Sequence, residues 1–126
     1  MRAPARDTRG KASRGAASWI LAIVVWLAAV ASHADVAAGD RAWAARAELL
    51  NGDRAAPARI EEAIGHYRAA LEAEPVSLVA HWKLLRALHY AIEFTSLSDE
   101  AQDARVREAV ELVRASADSV DADKVS

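Results

Sequence analysis

The sequence predicts an all-α protein in which about four helices pack as antiparallel hairpins after an N-terminal signal peptide. Three observations indicate this class. Alanine is abundant and β-branched residues are sparse after residue 34. Apolar residues recur at steps of three and four, the spacing of one helix face, rather than at the step of two that marks a strand. The clearest case is the face formed by Ile60, Ala63, Ile64, Tyr67, Ala70 and Leu71. The connections between these segments are short, and short connections place consecutive helices antiparallel.

The first 34 residues form the predicted signal peptide. Basic side chains precede an unbroken apolar run, Trp19 to Ala31, and Ser32 and Ala34 occupy the small-residue positions of a cleavage site. We therefore expect cleavage after Ala34 and export to the periplasm. The alternative is an uncleaved anchor in the inner membrane with the domain facing the periplasm, although a crossing usually takes about 20 apolar residues. In both cases the cations before the run hold the N-terminus inside.

The exported part is acidic and lacks cysteine. The leader holds five of the chain's 16 Lys and Arg and one of its 18 Asp and Glu, so 11 cations and 17 acids remain, a net charge of −6. A domain of this charge does not attract nucleic acid or an anionic membrane surface. Without cysteine there is no disulfide, no thiolate metal site and no lipid-modified cysteine. Membrane contact is expected only through an uncleaved N-terminal segment.

Residues that cap or break helices delimit the predicted elements. Pro57 suits a first helical position because its missing N–H would have no partner there, and the Ser77 hydroxyl can accept a free N–H at a helix start. Asn51-Gly52 is typical of a left-handed helix end. The domain comprises residues 35–117, and the polar residues 118–126 are predicted to be a flexible tail. The four predicted helices are Asp40–Leu50, Pro57–Glu74, Ser77–Phe94 and Ser98–Ala117.

The second and third segments carry a signature of packing between helices. Ala63, Tyr67, Ala70 and Pro75 follow the spacing A-x3-[FY]-x2-A-x4-P, which resembles the second helix of a tetratricopeptide repeat. Small residues let two helices approach closely, an aromatic residue fills the space between them, and proline ends the helix. Trp82 is predicted to complete this contact from the next helix. The resemblance implies a tetratricopeptide-repeat-like stack of hairpins.

A narrower resemblance lies in the run from Pro75 to Ala87. Its pattern, P-x6-W-[KR]-L-x-R-A, has one residue more between proline and tryptophan than an ordinary repeat. Together, HYRAALEAEP and VAHWKLLRAL resemble the T-component family of TRAP transporters, of which this chain would be a shortened member. The resemblance implies a periplasmic transport accessory that binds a solute-binding protein or a hydrophobic ligand and that associates into larger assemblies.

No pattern of residues indicates catalysis, a metal site or a cofactor. The histidines after residue 34 are His66, His81 and His89, and the sequence does not bring three or four ligands together around them. Neither a G-x-S-x-G motif nor a glycine-rich phosphate loop occurs. Adjacent acids such as Glu61 and Glu62 point apart on a helix, so they do not form a general acid–base pair. We therefore expect neither enzymatic activity nor a cofactor.

One face of the third helix is the candidate partner-binding surface. Its residues recur at steps of three and four and are Trp82, Arg86, His89 and Tyr90. In stacked hairpins, one helix of each pair lines a groove that binds partners. The other interpretation is that Trp82 packs in the core against Tyr67 while Arg86 pairs with an acid such as Glu62 or Glu93.

Three functional hypotheses follow from these patterns. The leading one is an exported, non-catalytic scaffold that binds a protein, with a periplasmic solute-binding protein as the partner that the T-component resemblance implies. The second is a membrane-anchored scaffold for envelope assembly. The third is a carrier of a small hydrophobic ligand. Self-association is also expected, because the third helix is apolar over more than half of its circumference.

Overall fold

In the computed structural model, which describes the backbone of residues 9–125, the chain forms four helices and one short hairpin. The first basic residues of the predicted signal peptide, Arg2 and Arg6, lie outside this range, as does Ser126. Consecutive helices pack against each other along the chain, and the predicted all-α class is confirmed. In order, the elements are α1 Arg9–Ala44, β1 Leu50–Asn51, β2 Arg54–Ala55, α2 Ala58–Ala73, α3 Leu78–Phe94 and α4 Asp99–Val125.

Helix α1 joins two segments that the sequence analysis kept apart. Its 36 residues run without interruption from the leader into the domain, so the separate helix predicted over Asp40–Leu50 is wrong. No proline interrupts residues 9–44, and Gly39 is held inside the helix by packing on α2. Large apolar side chains from Trp19 to Val30 are exposed. Gly15–Ala44 is long and apolar enough to cross a membrane, which fits a signal sequence and an anchor equally well.

The segment between α1 and α2 forms a two-stranded antiparallel hairpin where no strand was predicted. Leu50 pairs with Ala55 and Asn51 with Arg54. Gly52 has a φ of +70°, so Asn51-Gly52 supplies a left-handed residue for the hairpin turn rather than for a helix end. The hairpin is docked on the end of α3, because Ala55 is buried and its carbonyl accepts a hydrogen bond from the Ser96 N–H at 3.2 Å.

The core lies between α2 and its two neighbours, and the predicted apolar face of α2 accounts for most of it. Small residues at Ala63 and Ala70 leave room for close helix contact, and Tyr67 is the largest fully buried side chain. On the α3 side the core is completed by residues that alternate in size: Leu84, Ala87, Leu88 and Ala91. Ser77 caps α3 by accepting a hydrogen bond from the Ala80 N–H at 3.3 Å.

Helix α4 is connected to α2 by a network of ion pairs. The Arg105 guanidinium donates two hydrogen bonds to the Glu61 carboxylate, the longer one at 2.9 Å, and Glu108 accepts from both Arg105 and Arg68. Hydrogen bonding with Glu61 raises the pKa of Arg105, and burial opposes this shift only in part. Helix α4 continues to Val125 and so extends through most of the segment 118–126 for which a tail was predicted.

Candidate functional site

A partly buried polar contact fixes the position of α1 relative to α2 and α3. The Asp40 carboxylate accepts a hydrogen bond from the Tyr67 hydroxyl at 2.7 Å and another from the Lys83 ammonium at 2.5 Å. Gly39 allows this contact because it has no side chain and lies directly against the Tyr67 ring. Each of the three helices therefore contributes one side chain to the contact.

These contacts shift the pKa values of Asp40 and Tyr67. Burial acts to raise the pKa of Asp40, but the hydrogen bonds from Lys83 and Tyr67 outweigh it, and the pKa of this carboxyl is lowered. Burial and the hydrogen bond to Asp40 raise the pKa of the Tyr67 phenol well above its usual value. Both shifts favour a charged Asp40 beside a neutral Tyr67 at neutral pH.

The lowered pKa of Asp40 gives a testable pH dependence. A carboxyl whose pKa is lower in the folded state contributes stability above its unfolded pKa of about 3.9, and the contribution is lost as the pH falls through the folded value. Asp40→Asn should therefore lower the melting temperature at pH 7. The gap between wild type and variant should shrink when melting is followed between pH 5 and pH 3. A gap that is constant over this range would contradict the assigned ion pair.

Rings and guanidinium groups alternate along a face formed by α3, the end of α1 and the turn that follows α1. The Arg86 guanidinium lies 3.9 Å from the Trp43 ring centroid and 4.6 Å from that of Trp82. The Arg46 guanidinium lies 4.2 Å from the Trp43 centroid and 5.3 Å from that of Tyr90. We call this set the aromatic–arginine surface, and its members are Trp43, Arg46, Trp82, Arg86, Tyr90 and Phe94.

The aromatic–arginine surface is accessible and carries positive charge. Trp82 is 50% exposed and Phe94 51% exposed. Within the part of the chain that the structure describes, the Nε atoms of Arg46 and Arg86 are buried without a hydrogen-bond partner, and no acid forms an ion pair with either residue. Stacking therefore holds both guanidinium groups in place, and the charge of Arg86 also helps to lower the pKa of Asp40.

The structure brings three of the four candidate residues together. Trp82, Arg86 and Tyr90 meet around Trp43, whereas His89 is exposed and reaches the group only through an edge contact with Phe94, 6.3 Å between centroids. The interpretation of Trp82 as a core residue against Tyr67 is wrong, because half of its side chain is exposed and it stacks on Arg86. The predicted pairing of Arg86 with Glu62 or Glu93 is absent from the described ion pairs.

Sequence reasoning missed the contribution of α1 to this surface. Trp43, near the end of α1, and Arg46, in the turn after it, lie 36 or more positions before Trp82 and Arg86 in the sequence, and no periodicity along α3 indicates them. The available signal was the composition around residue 43, where one tryptophan follows an alanine-rich stretch. Pro75, the last member of the packing signature, lies exposed in the turn between α2 and α3, while Ala63, Tyr67 and Ala70 are buried.

Two apolar clefts are open on the domain, and one of them reaches the aromatic–arginine surface at Trp82. One, of about 440 Å³, runs between α3 and α4 and includes Leu78, Trp82, Leu85 and Val113 in its lining. The other, of about 500 Å³, lies between α1 and the α2–α3 turn, near Ser32 and Val76. Both are open to solvent rather than enclosed. Their shape suits a side chain or a helix of a partner better than a fully enclosed small ligand.

Comparisons with known proteins do not assign the site. No protein-family model, no curated protein and no solved structure matches the chain. Among the described residues, no group of three or more His, Asp or Glu side chains is placed to hold a metal ion. The resemblances to tetratricopeptide repeats and to the T-component family therefore stay predictions.

Proposed function

We propose that the chain is an exported, non-catalytic helical scaffold that binds a protein through the aromatic–arginine surface. The observation that carries the proposal is the stack of Trp82, Arg86 and Trp43, in which one ring is half exposed and the guanidinium forms no direct ion pair among the described residues. Tryptophan, tyrosine and arginine are the residues that most often dominate binding energy at protein interfaces.

Stacking also lowers the cost of binding at this surface. A free arginine side chain loses about 0.5–1.5 kcal/mol of conformational freedom when a partner immobilises it. Arg86 is already held between two rings, so part of this loss occurs on folding. The complementary partner presents carboxylates, because two guanidinium groups converge on Trp43 and their charge is not neutralised by an ion pair.

The T-component resemblance makes the proposal more specific. Under it, the partner is a periplasmic solute-binding protein of a TRAP-type uptake system, and the scaffold is an accessory of solute transport. The assignment to a TRAP-type system is supported by the sequence of the run Pro75–Ala87, because Trp82 and Arg86 of that run form the stack.

Photo-crosslinking in intact cells tests the proposal. A photoreactive amino acid that keeps an aromatic ring at position 82 should capture a discrete protein, and the capture should be lost when Arg86→Ala is added. Position 72 is the matched control, because Glu72 is exposed on α2 and is not part of the surface. Mass spectrometry of the captured protein then decides whether it is a solute-binding protein.

Two results would contradict the proposal. One is an identical set of products at positions 82 and 72, which would indicate random contact. The other is capture at position 82 that is unaffected by Arg86→Ala, which would remove the guanidinium from the binding surface. Capture of a protein that is not a solute-binding protein would support the protein-binding scaffold and contradict the role in solute transport.

A membrane-anchored scaffold is the second candidate, and the continuity of α1 favours it. The expected cleavage point after Ala34 lies inside an unbroken helix, and Ser32 is only 2% exposed. Proteases prefer exposed, flexible segments. The residues that α1 contributes to the core and the site, Asp40, Ala42 and Trp43, all follow Ala34, so a cleaved chain would keep them. Intact-mass measurement separates the two candidates, because the anchored scaffold requires residues 1–34 to be retained.

A further inference from the structure

Helix α4 carries an exposed apolar stripe that is not used by the fold. Its members, which we call the valine stripe, are Val106, Val110, Val113, Ala117 and Val120. Their spacing of four, three, four and three is the heptad spacing of a coiled-coil seam. The four valines are between 42% and 52% exposed. A seam of β-branched residues this exposed is incomplete without a second helix.

The valine stripe continues beyond the part of α4 that α3 supports. Ser116 lines the same cleft as Leu78, the first residue of α3, so residues 117–125 extend past the end of that helix. An isolated helical segment of this length is only marginally stable in water. The helical continuation to Val125 therefore points to a partner along this side of α4.

The stripe also borders a groove of suitable shape. Val110 and Val113 line one cleft together with Leu85, and Val113 lines the neighbouring cleft with Trp82. The two clefts share Leu85 and Val113 and therefore adjoin each other between α3 and α4. A groove of this kind accepts the apolar face of an amphipathic helix.

We propose that the occupant is α4 of a second copy of this chain, packed antiparallel. With Val110 opposite Val120 of the second copy, Val113 lies opposite Ala117 of the second copy, and every valine of the stripe lies in a seam layer. Arg107 then flanks the seam near Asp121 of the second copy, and two such opposite-charge contacts form by symmetry. The one unfavourable contact is Arg114, which meets its own symmetry mate near the two-fold axis.

A parallel pair is disfavoured by the same sequence. The seam positions that continue the stripe are Asp103 on one side and Lys124 on the other. A parallel arrangement places each of them against its own copy, so like charges meet at both ends of the seam. In a parallel arrangement, the residues that flank the seam also form no pair of opposite charge between the two copies. The antiparallel arrangement instead places the Lys124 stem beside Val106 of the second copy.

Cysteine crosslinking of the full chain tests this arrangement directly, because the chain has no cysteine of its own. The double variant Val110→Cys/Val120→Cys should give a disulfide-linked dimer under mild oxidation. The matched controls are the two single variants, which should not crosslink because neither residue faces its own copy in the antiparallel register. Both positions are about half exposed, so the variants should fold.

A charge reversal provides the second measurement. In the double-cysteine background, Arg107→Glu should lower the dimer yield several-fold, and adding Asp121→Arg should restore it. Dimers formed by either single cysteine variant would overturn the antiparallel arrangement in favour of a parallel one. A double variant that crosslinks no better than the singles would overturn the pairing of α4 altogether. These outcomes do not depend on the partner of the aromatic–arginine surface, because the disulfide joins two copies of α4 in the purified chain, where that partner is absent.

Discussion

Replacing Tyr67 with alanine is expected to remove a large part of the free energy of unfolding of the domain. The Tyr67 side chain is fully buried among α1, α2 and α3, and its hydroxyl donates to Asp40. Removing a buried aromatic side chain costs about 3–5 kcal/mol, and a small domain has a total stability of about 5–15 kcal/mol. Urea unfolding of the full chain, followed by circular dichroism, should show a midpoint far below that of wild type or no cooperative transition.

Trp82→Ala is the matched control for this loss. Trp82 was the residue expected to pack against Tyr67, but it lies half exposed on the other side of Arg86. Its removal eliminates one exposed cation–π contact, worth about 0.5–1 kcal/mol. The unfolding midpoint should therefore stay close to that of wild type. Equal destabilisation by the two substitutions would contradict the position of Trp82 on the surface.

Gly39→Ala should destabilise the contact between α1 and α2. An added Cβ would lie 2.5–2.9 Å from three carbon atoms of the Tyr67 ring, and this ring is too well packed to move away. Overpacking of this kind costs about 1–3 kcal/mol, more than the gain in helix propensity from glycine to alanine of about 1 kcal/mol. The measurement is the free energy of unfolding from urea denaturation.

Gly65→Ala, on the neighbouring helix, should instead stabilise the domain. Gly65 is exposed in α2, and nothing lies within 4 Å of the place where its Cβ would be. Only the helix propensity changes, so the variant should gain about 0.5–1 kcal/mol. If both substitutions stabilise the domain by similar amounts, the close approach of Gly39 to Tyr67 is wrong.

Local periodicity explains why α2 and α3 could be predicted from the sequence. The apolar steps from Ile60 to Ala70 correspond residue by residue to the buried face of α2. Ser77 caps α3, as predicted from its hydroxyl group. These features depend on neighbours within one or two turns, which a single sequence contains.

The parts that the sequence did not predict depend on contacts between distant residues. The sequence predicts that the domain begins after the leader, but α1 continues through that boundary because no proline interrupts it. Asn51-Gly52 is compatible with a helix end and with a hairpin turn, since a left-handed glycine suits both. The docking of the hairpin on Thr95 decides between these uses.

The candidate site also depends on contacts between residues that are distant in the sequence. Periodicity placed Trp82, Arg86 and Tyr90 on one helix face, but it did not show what that face meets. Trp43 determines the arrangement, because both guanidinium groups stack on its ring. A tryptophan on an apolar helix face is usually buried, and only the position of α1 shows why Trp82 is not.

The central claim is that the aromatic–arginine surface binds a protein, and the affinity of the protein captured at position 82 tests it most directly. The dissociation constant of the purified partner should be compared for wild type, Trp82→Ala and Arg86→Ala. Removing a binding hot spot costs about 2 kcal/mol or more, so each variant should raise the dissociation constant about 30-fold, with helicity unchanged. An unchanged dissociation constant in both variants would contradict the claim.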